Sequence, residues 1–259
     1  MSLEQIYDLK PEESELLYTA SGIREVIEVR QWQQYRWLHL GDKSVQALMK
    51  TDAVEQVVLP NIQALLAVLL FCPKPKHLLN LGLGGASLER YLDANWPEVQ
   101  LTSVESNKKI IELAKDYFYL PEKVDVKHKP AEQFVQGHTQ TYDIILADIF
   151  VAANQASCLY DERFYASISK CIKETGVLAI NILPESEEDV VNVLFAMKNY
   201  FGYLYLLEFP DFSNAILFAS CKKIPDSDEL IKRAEALFEN TQLDLRDIPE
   251  RLNVLLETV

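Results

Sequence analysis

From His77 onward the chain alternates strand-like runs with helix-patterned segments, and this alternation limits its fold more than any other feature. The strand candidates are His77–Leu81, Gln100–Glu105, Val124–Lys127, Tyr142–Asp148 and Val177–Leu183. Helical patterns lie between them at Ala86–Ala94, Asn107–Tyr117, Asp161–Thr175 and Glu187–Phe201. Strands joined through helices pair in parallel, so the pattern predicts an α/β, Rossmann-like sheet with helices on both faces. Two more runs, Tyr203–Phe209 and Ala215–Cys221, flank a turn at Pro210–Asn214 and predict an antiparallel hairpin that completes seven strands. The tail, Asp226–Val259, reads as one or two amphipathic helices.

Ahead of His77 the pattern differs. Arg24–Arg30, Tyr35–Leu40 and Val45–Met49 predict a small N-terminal antiparallel sheet, with Gly41-Asp42-Lys43 as a turn. An apolar helical stretch over Ala53–Phe71 follows, interrupted by Pro60 and stopped by Pro73 and Pro75. The expected organisation is 1–74 for the β-domain and linker helix, 75–225 for the Rossmann-like ligand-binding domain, and 226–259 for a helical tail. A length of 259 residues accommodates one large domain with a smaller one.

Composition removes several classes of function. The longest unbroken apolar run, Ala64–Cys72, is nine residues, and a membrane span needs about twenty. Met1–Leu17 is polar and acidic and does not pattern as a secretory signal. Twenty-five basic against 39 acidic residues give a net charge of −14, and no basic patch suggests nucleic acid. Cys72, Cys158, Cys171 and Cys221 are widely spaced and make no metal pattern with His39, His77, His128 and His138. They read as buried free thiols of a cytoplasmic protein with no metal.

The strongest local signal is Leu78-Leu79-Asn80-Leu81-Gly82-Leu83-Gly84-Gly85-Ala86-Ser87-Leu88, an apolar strand entering a glycine turn and then a helix. Gly82 and Gly84 let the backbone turn sharply and approach a ligand, and the helix start offers unpaired N–H groups. Read alone, the segment is also compatible with a plain βα turn. Twenty-one residues after Gly84, at the end of the next strand, stands Glu105. A carboxylate there accepts two hydrogen bonds from a ribose diol, and the alternative is a cap on the helix from Asn107. Asp148 ends the fourth strand, on the edge that lines the ligand crevice of such sheets. It is either a carboxylate for holding or deprotonating a nucleophile, or a turn cap. The turn lacks the third glycine of a pyrophosphate-binding GxGxxG. It fits the Gly82, Gly84, Ala86 form of folds that bind S-adenosylmethionine.

In this order and spacing the motifs resemble the spermidine synthase-like (polyamine aminopropyltransferase-like) family on the class I methyltransferase fold. The resemblance runs from about Glu25 to Ser220. It is carried by Ser44-Val45-Gln46-Ala47-Leu48-Met49, Val58-Leu59-Pro60, Gly82–Leu88, Val104-Glu105, Tyr142–Ile145, Arg163-Phe164-Tyr165 and Thr175–Leu178. It implies aminopropyl transfer from decarboxylated S-adenosylmethionine to a small-molecule amine, and a homo-oligomer. It also implies Asp148 as base, and a donor site of Gly82, Gly84, Gly85, Ala86, Glu105 and Ala131. Gln46 is implied as a substrate contact.

Four departures from the family pattern stand out. Gly85 and Val151 occupy positions where the family carries aspartates. Pro130 replaces an aspartate that holds the adenine amine, and Asn61 or a neighbour replaces a linker tyrosine. Two of the lost carboxylates would pair a cationic acceptor, so the resemblance implies an altered acceptor site, with Glu132 or Asp161 as alternative carboxylates. The readings left open are an aminopropyl-type transferase with a changed acceptor, a methyltransferase using S-adenosylmethionine, and a non-catalytic binding or assembly module.

Overall fold

The computed structural model describes residues 9, 13–21, 26–40, 45–151, 154–209 and 213–257. Near the N-terminus, β1 (Glu15–Ser21), β2 (Val26–Trp32), β3 (Tyr35–Leu40) and β4 (Val45–Lys50) form an antiparallel sheet in that order. The three expected strands are present, and β1 is an addition. The turn at 41–43 lies outside the described residues.

One face of this sheet, with Ile27, Val29, Leu38, Ala47 and Met49, packs on Ile110, Leu113 and Phe118 of the larger unit. Trp37 and Leu48 enter the main core from the other face. Both faces of β3 and β4 are therefore covered. Between Leu38 and His39 the register with β4 slips, so Gln46 is an extra, bulged residue beside Ala47.

Pro60 starts a helix instead of interrupting one. Residues 53–55 form a turn and 56–59 run irregularly into α1 (Pro60–Leu65), which carries the proline in its first turn, where a missing N–H costs nothing. The short α2 (Val68–Phe71) completes the linker.

The chain then builds the main sheet. Its elements are β5 (His77–Leu81), α3 (Ser87–Asn95), β6 (Gln100–Glu105), α4 (Lys108–Tyr117), β7 (Asp125–His128), α5 (Ala131–Val135) and β8 (Tyr142–Ala147). A two-stranded ribbon of β9 (Phe150–Val151) and β10 (Asn154–Gln155) follows, then a 3-10 turn over Ser157–Tyr160 and α6 (Glu162–Cys171). The rest is β11 (Ile172–Ile182), α7 (Glu187–Met197), β12 (Tyr203–Glu208), β13 (Ala215–Ser220), α8 (Ser227–Thr241), α9 (Ile248–Arg251) and β14 (Asn253–Glu257).

The strand order is β14-β12-β13-β11-β8-β5-β6-β7. From β7 to β11 the pairs are parallel, and β13, β12 and β14 are antiparallel. Leu78, Leu79, Ile144–Ala147, Leu178–Ile180 and Ile216–Ala219 are fully buried, as central strands covered on both faces require. The seven expected strands are all present. The eighth, β14, comes from the tail that was expected to be helical only, so the tail adds an edge to the sheet.

The helix expected over Asp161–Thr175 stops at Cys171, because Ile172 turns to pair with Tyr142 of β8. Of the four cysteines, all free, Cys171 is buried and Cys72 and Cys158 are half-buried. Cys221 is exposed, contrary to the expectation of a buried thiol. Among the described residues no helix is long and apolar enough to cross a membrane.

Candidate active site

The chain order reverses direction at β5, with β6 on one side and β8 on the other, and a crevice opens there at the carboxyl ends of the strands. The two walls are stitched together: Asp148 N–H donates to the Leu81 carbonyl (2.9 Å) and Gly82 N–H to the Val104 carbonyl (2.8 Å). Gly82 has φ +101°, and a Cβ there would stand 2.1 Å from the Asp148 carbonyl oxygen. Only glycine fits.

Gly84 (φ +50°) is different, since a Cβ there would meet nothing within 4 Å. It faces open space. Gly84 thus forms the open side of the turn, and Gly82 its close contact with Asp148. Gly85 and Ala86, expected as ligand contacts, are buried behind it. A Cβ on Gly85 would lie 2.5 Å from Ala47 Cβ and 3.3 Å from Phe118 Cδ1. Both positions therefore pack the turn from the rear.

Ala86 holds a left-handed conformation (φ 56°) at the start of α3, at a cost of roughly 1–2 kcal/mol for a residue with a Cβ. The turn is braced from below by Arg90, which donates to the carbonyls of Gly85 (2.5 Å), Phe118 (2.6 Å) and Val54 (2.6 Å). Beside it the buried Glu89 accepts from Asn80 Nδ2 and Ser103 Oγ, both at 2.6 Å. Burial pushes the Glu89 carboxyl up from its ordinary value.

Glu105 ends β6 half-buried. Its Oε2 accepts from Leu83 N–H of the glycine turn (3.2 Å) and its Oε1 from Asn107 N–H (2.8 Å). The helix cap itself is the Asn107 side chain, which accepts from Lys109 N–H (2.9 Å). Glu105 thus supports the helix start, as the capping reading expected, and also fastens the turn. Oε1 also accepts a long hydrogen bond from Ser106 Oγ (3.4 Å), and Oε2 retains a second lone pair for a ligand hydroxyl.

Asp148 follows β8. Asn181 Nδ2 donates to its Oδ1 at 2.7 Å, and Asn214 Nδ2 in turn donates to Asn181 Oδ1 at 3.0 Å. Burial pushes the Asp148 pKa up from 3.8 to about 6, against the lowering effect of the Asn181 hydrogen bond. Asn181 and Asn214 were not singled out from sequence. The signal for Asn181 was present, because it is a fully buried amide inside the apolar run Val177–Ile182.

Next to the crevice is a cavity of about 590 Å³, lined among others by Ser106, Pro130, Ala131, Glu132, Asp161 and Arg163. Ala131 is buried in the first turn of α5, next to Pro130. Glu132 and Asp161, the two alternative carboxylates, both reach this cavity, and Asp161 is paired with Arg163 (2.7 Å). Gln46 is half-buried on its bulge, one residue from the Ala47–Gly85 contact. Asn61 is half-buried in α1. The side chain of Val151 lies outside the described residues.

Residues 67–230 match the family model of the spermine/spermidine synthase domain. The chain belongs to the spermine/spermidine synthase family. A polyamine aminopropyltransferase of Neisseria meningitidis serogroup A is 27% identical over 215 residues, which cover 81% of this chain and 82% of that one. Among solved structures, a probable spermidine synthase from Corynebacterium glutamicum superposes with a TM-score of 0.74 at 16% identity, covering 93% of this chain and 96% of the other. Human methyltransferase-like protein 13, in complex with SAH, gives 0.60 at 20% identity, covering 70% of this chain and 89% of the other. The spermine/spermidine synthase match spans Gly82–Ala86, Glu105, Ala131 and Asp148 and begins after Gln46.

Proposed function

We propose that the chain is an aminopropyltransferase that joins the aminopropyl group of decarboxylated S-adenosylmethionine to an amine. In this reading the acceptor nitrogen attacks the methylene carbon next to the donor sulfonium. The C–S bond breaks, neutral methylthioadenosine leaves, and the nitrogen's proton passes to Asp148. Glu105 takes the ribose hydroxyls beside Gly82 and Gly84, and Ala131 forms part of the wall against the base.

The observation that carries the reading is the Asp148 carboxyl at the strand reversal, beside the glycine turn. One oxygen is held by Asn181, and the other has no hydrogen-bond partner among the described residues. A pKa of about 6 leaves the group ionised at neutral pH yet basic enough to take a proton. The side chains offered by the crevice are two carboxylates, Glu105 and Asp148, which suits a sulfonium and an amine. The Arg90 guanidinium is turned to backbone carbonyls behind the turn, and that of Arg163, at the neighbouring cavity, is paired with Asp161. Among the described residues neither guanidinium is offered to a donor carboxylate, which favours the decarboxylated donor over S-adenosylmethionine.

The acceptor's far end is the changed part of this proposed site. A carboxylate at position 85 has no room against Ala47, which leaves Glu132 and Asp161 as the groups for a remote ammonium. The test is aminopropyl transfer from the decarboxylated donor to a panel of di- and polyamines. Asp148→Asn should lower kcat by about 10²–10⁴-fold. Unreduced turnover in that variant, or no transfer to any amine by the parent, overturns the reading.

A further inference from the structure

We propose that Asn214 and Asn181 are positioning residues: Asn214 fixes the amide of Asn181 so that it offers Asp148 an N–H and never its carbonyl, leaving Asp148 Oδ2 for the acceptor amine. The proposal rests on the reading of Asp148 as the base. Asn181 has two possible amide orientations of nearly the same shape. Toward an ionised carboxylate only the N–H is favourable, because a carboxylate can only accept. Toward a protonated carboxyl the carbonyl would serve equally well.

The hydrogen bond from Asn214 points to the first orientation. Its Nδ2 donates to Asn181 Oδ1 at 3.0 Å, which requires the carbonyl to face Asn214 and the amide nitrogen to face Asp148 at 2.7 Å. The two donors run in one direction, so the chain of bonds favours the ionised base. Asn181 is fully buried on β11, and a wrongly turned amide there would leave polar atoms unpaired. Asn214 lies half-buried just ahead of β13.

Burial raises the Asp148 carboxyl and the Asn181 hydrogen bond lowers it. From β5 it meets the Leu81 carbonyl, which pairs with its own N–H, and the backbone of Gly82.

The relay makes a directional prediction. In N214D the new carboxylate can only accept, so Asn181 should turn its N–H outward and present its carbonyl to Asp148. That arrangement calls for a protonated Asp148. The acid limb of the kcat–pH profile should then move up by about one pH unit or more, the size expected when a hydrogen bond to a charged group is lost. N181A should move the limb the same way, N181Q should restore part of it, and KM for the donor should change little. Because N214D also adds a negative charge that raises the Asp148 pKa by itself, N214A is the uncharged control, and a merely structural role would lower its stability without moving the limb.

NMR titration of the Asp148 carboxyl carbon, in protein labelled at aspartate, reads the same shift without turnover. An unmoved titration in both N214D and N181A, with folding verified by circular dichroism, overturns the relay. Full activity in Asp148→Asn would instead overturn the base reading, with the NMR titration remaining as a separate readout of the relay. If N181A fails to fold, N214D and N214A carry the test, because Asn214 is only half-buried.

Discussion

Glu105 shows how one side chain serves both structure and ligand. Its two oxygens are already engaged by the N–H groups of Leu83 and Asn107, so the carboxylate is oriented before any ribose arrives. Glu105→Ala should weaken methylthioadenosine binding by about 1–3 kcal/mol, measured by calorimetry. Parent-like affinity in that variant would remove its proposed role. Sequence pattern placed Glu105 and Asp148 at the carboxyl ends of β6 and β8, and the structure has Glu105 as the last residue of β6 and Asp148 just past β8. The pattern did not reveal Asn214, which comes 33 residues after Asn181 and meets it only through the antiparallel pairing of β11 with β13. Nor did it show that Gly85 and Ala86 are buried against the structure behind the turn. Glycine and alanine next to a turn look alike whether they face a ligand or the sheet behind, and only the packing against Ala47 separates the two.

Among the elements, α4 has its cap, Asn107, two residues after Glu105, the proposed ribose group, so the two roles can be separated. Asn107→Ala removes the side chain that accepts from Lys109 N–H and should cost about 0.5–2 kcal/mol of stability in a thermal or urea melt. Methylthioadenosine binding should stay close to the parent's once the protein is folded, in contrast to the Glu105 variant. The elements legible in sequence were the buried ones. β5, β8, β13 and the second half of β11 are dominated by apolar residues because helices or neighbours cover both faces. The edge strand β14 gave no such pattern: Val254 and Leu255 are exposed, and Leu256 alone packs toward the core. β1 sits in a polar stretch with Leu16 exposed and Tyr18 only partly buried, so alternation was weak there as well.

At the scale of the molecule, the site is held at a cost in stability. The Asp148 pKa of about 6 lies above the 3.8 of an unperturbed group. A carboxyl with a raised folded-state pKa favours the fold below the unfolded value, and that contribution is lost as pH rises through about 6. The full difference amounts to about 3 kcal/mol. Glu89 acts with the same sign. Asp148→Asn should therefore gain stability relative to the parent between pH 4 and pH 7, seen as a rising Tm difference, while losing activity. A Tm difference that stays flat across that range would contradict the buried-carboxyl account.

The contact between Ala47 and Gly85 joins the first fifty residues to the main sheet, and it also dictates an order of events. Any side chain at 85 meets the methyl group of 47, and alanine can yield that volume only by becoming glycine. A lineage gaining a residue at 85 must therefore change 47 first or pass through a poorly folded ancestor. Gly85→Ala should be strongly destabilising alone and much less so with Ala47→Gly, a non-additivity that a four-variant melt series would measure directly.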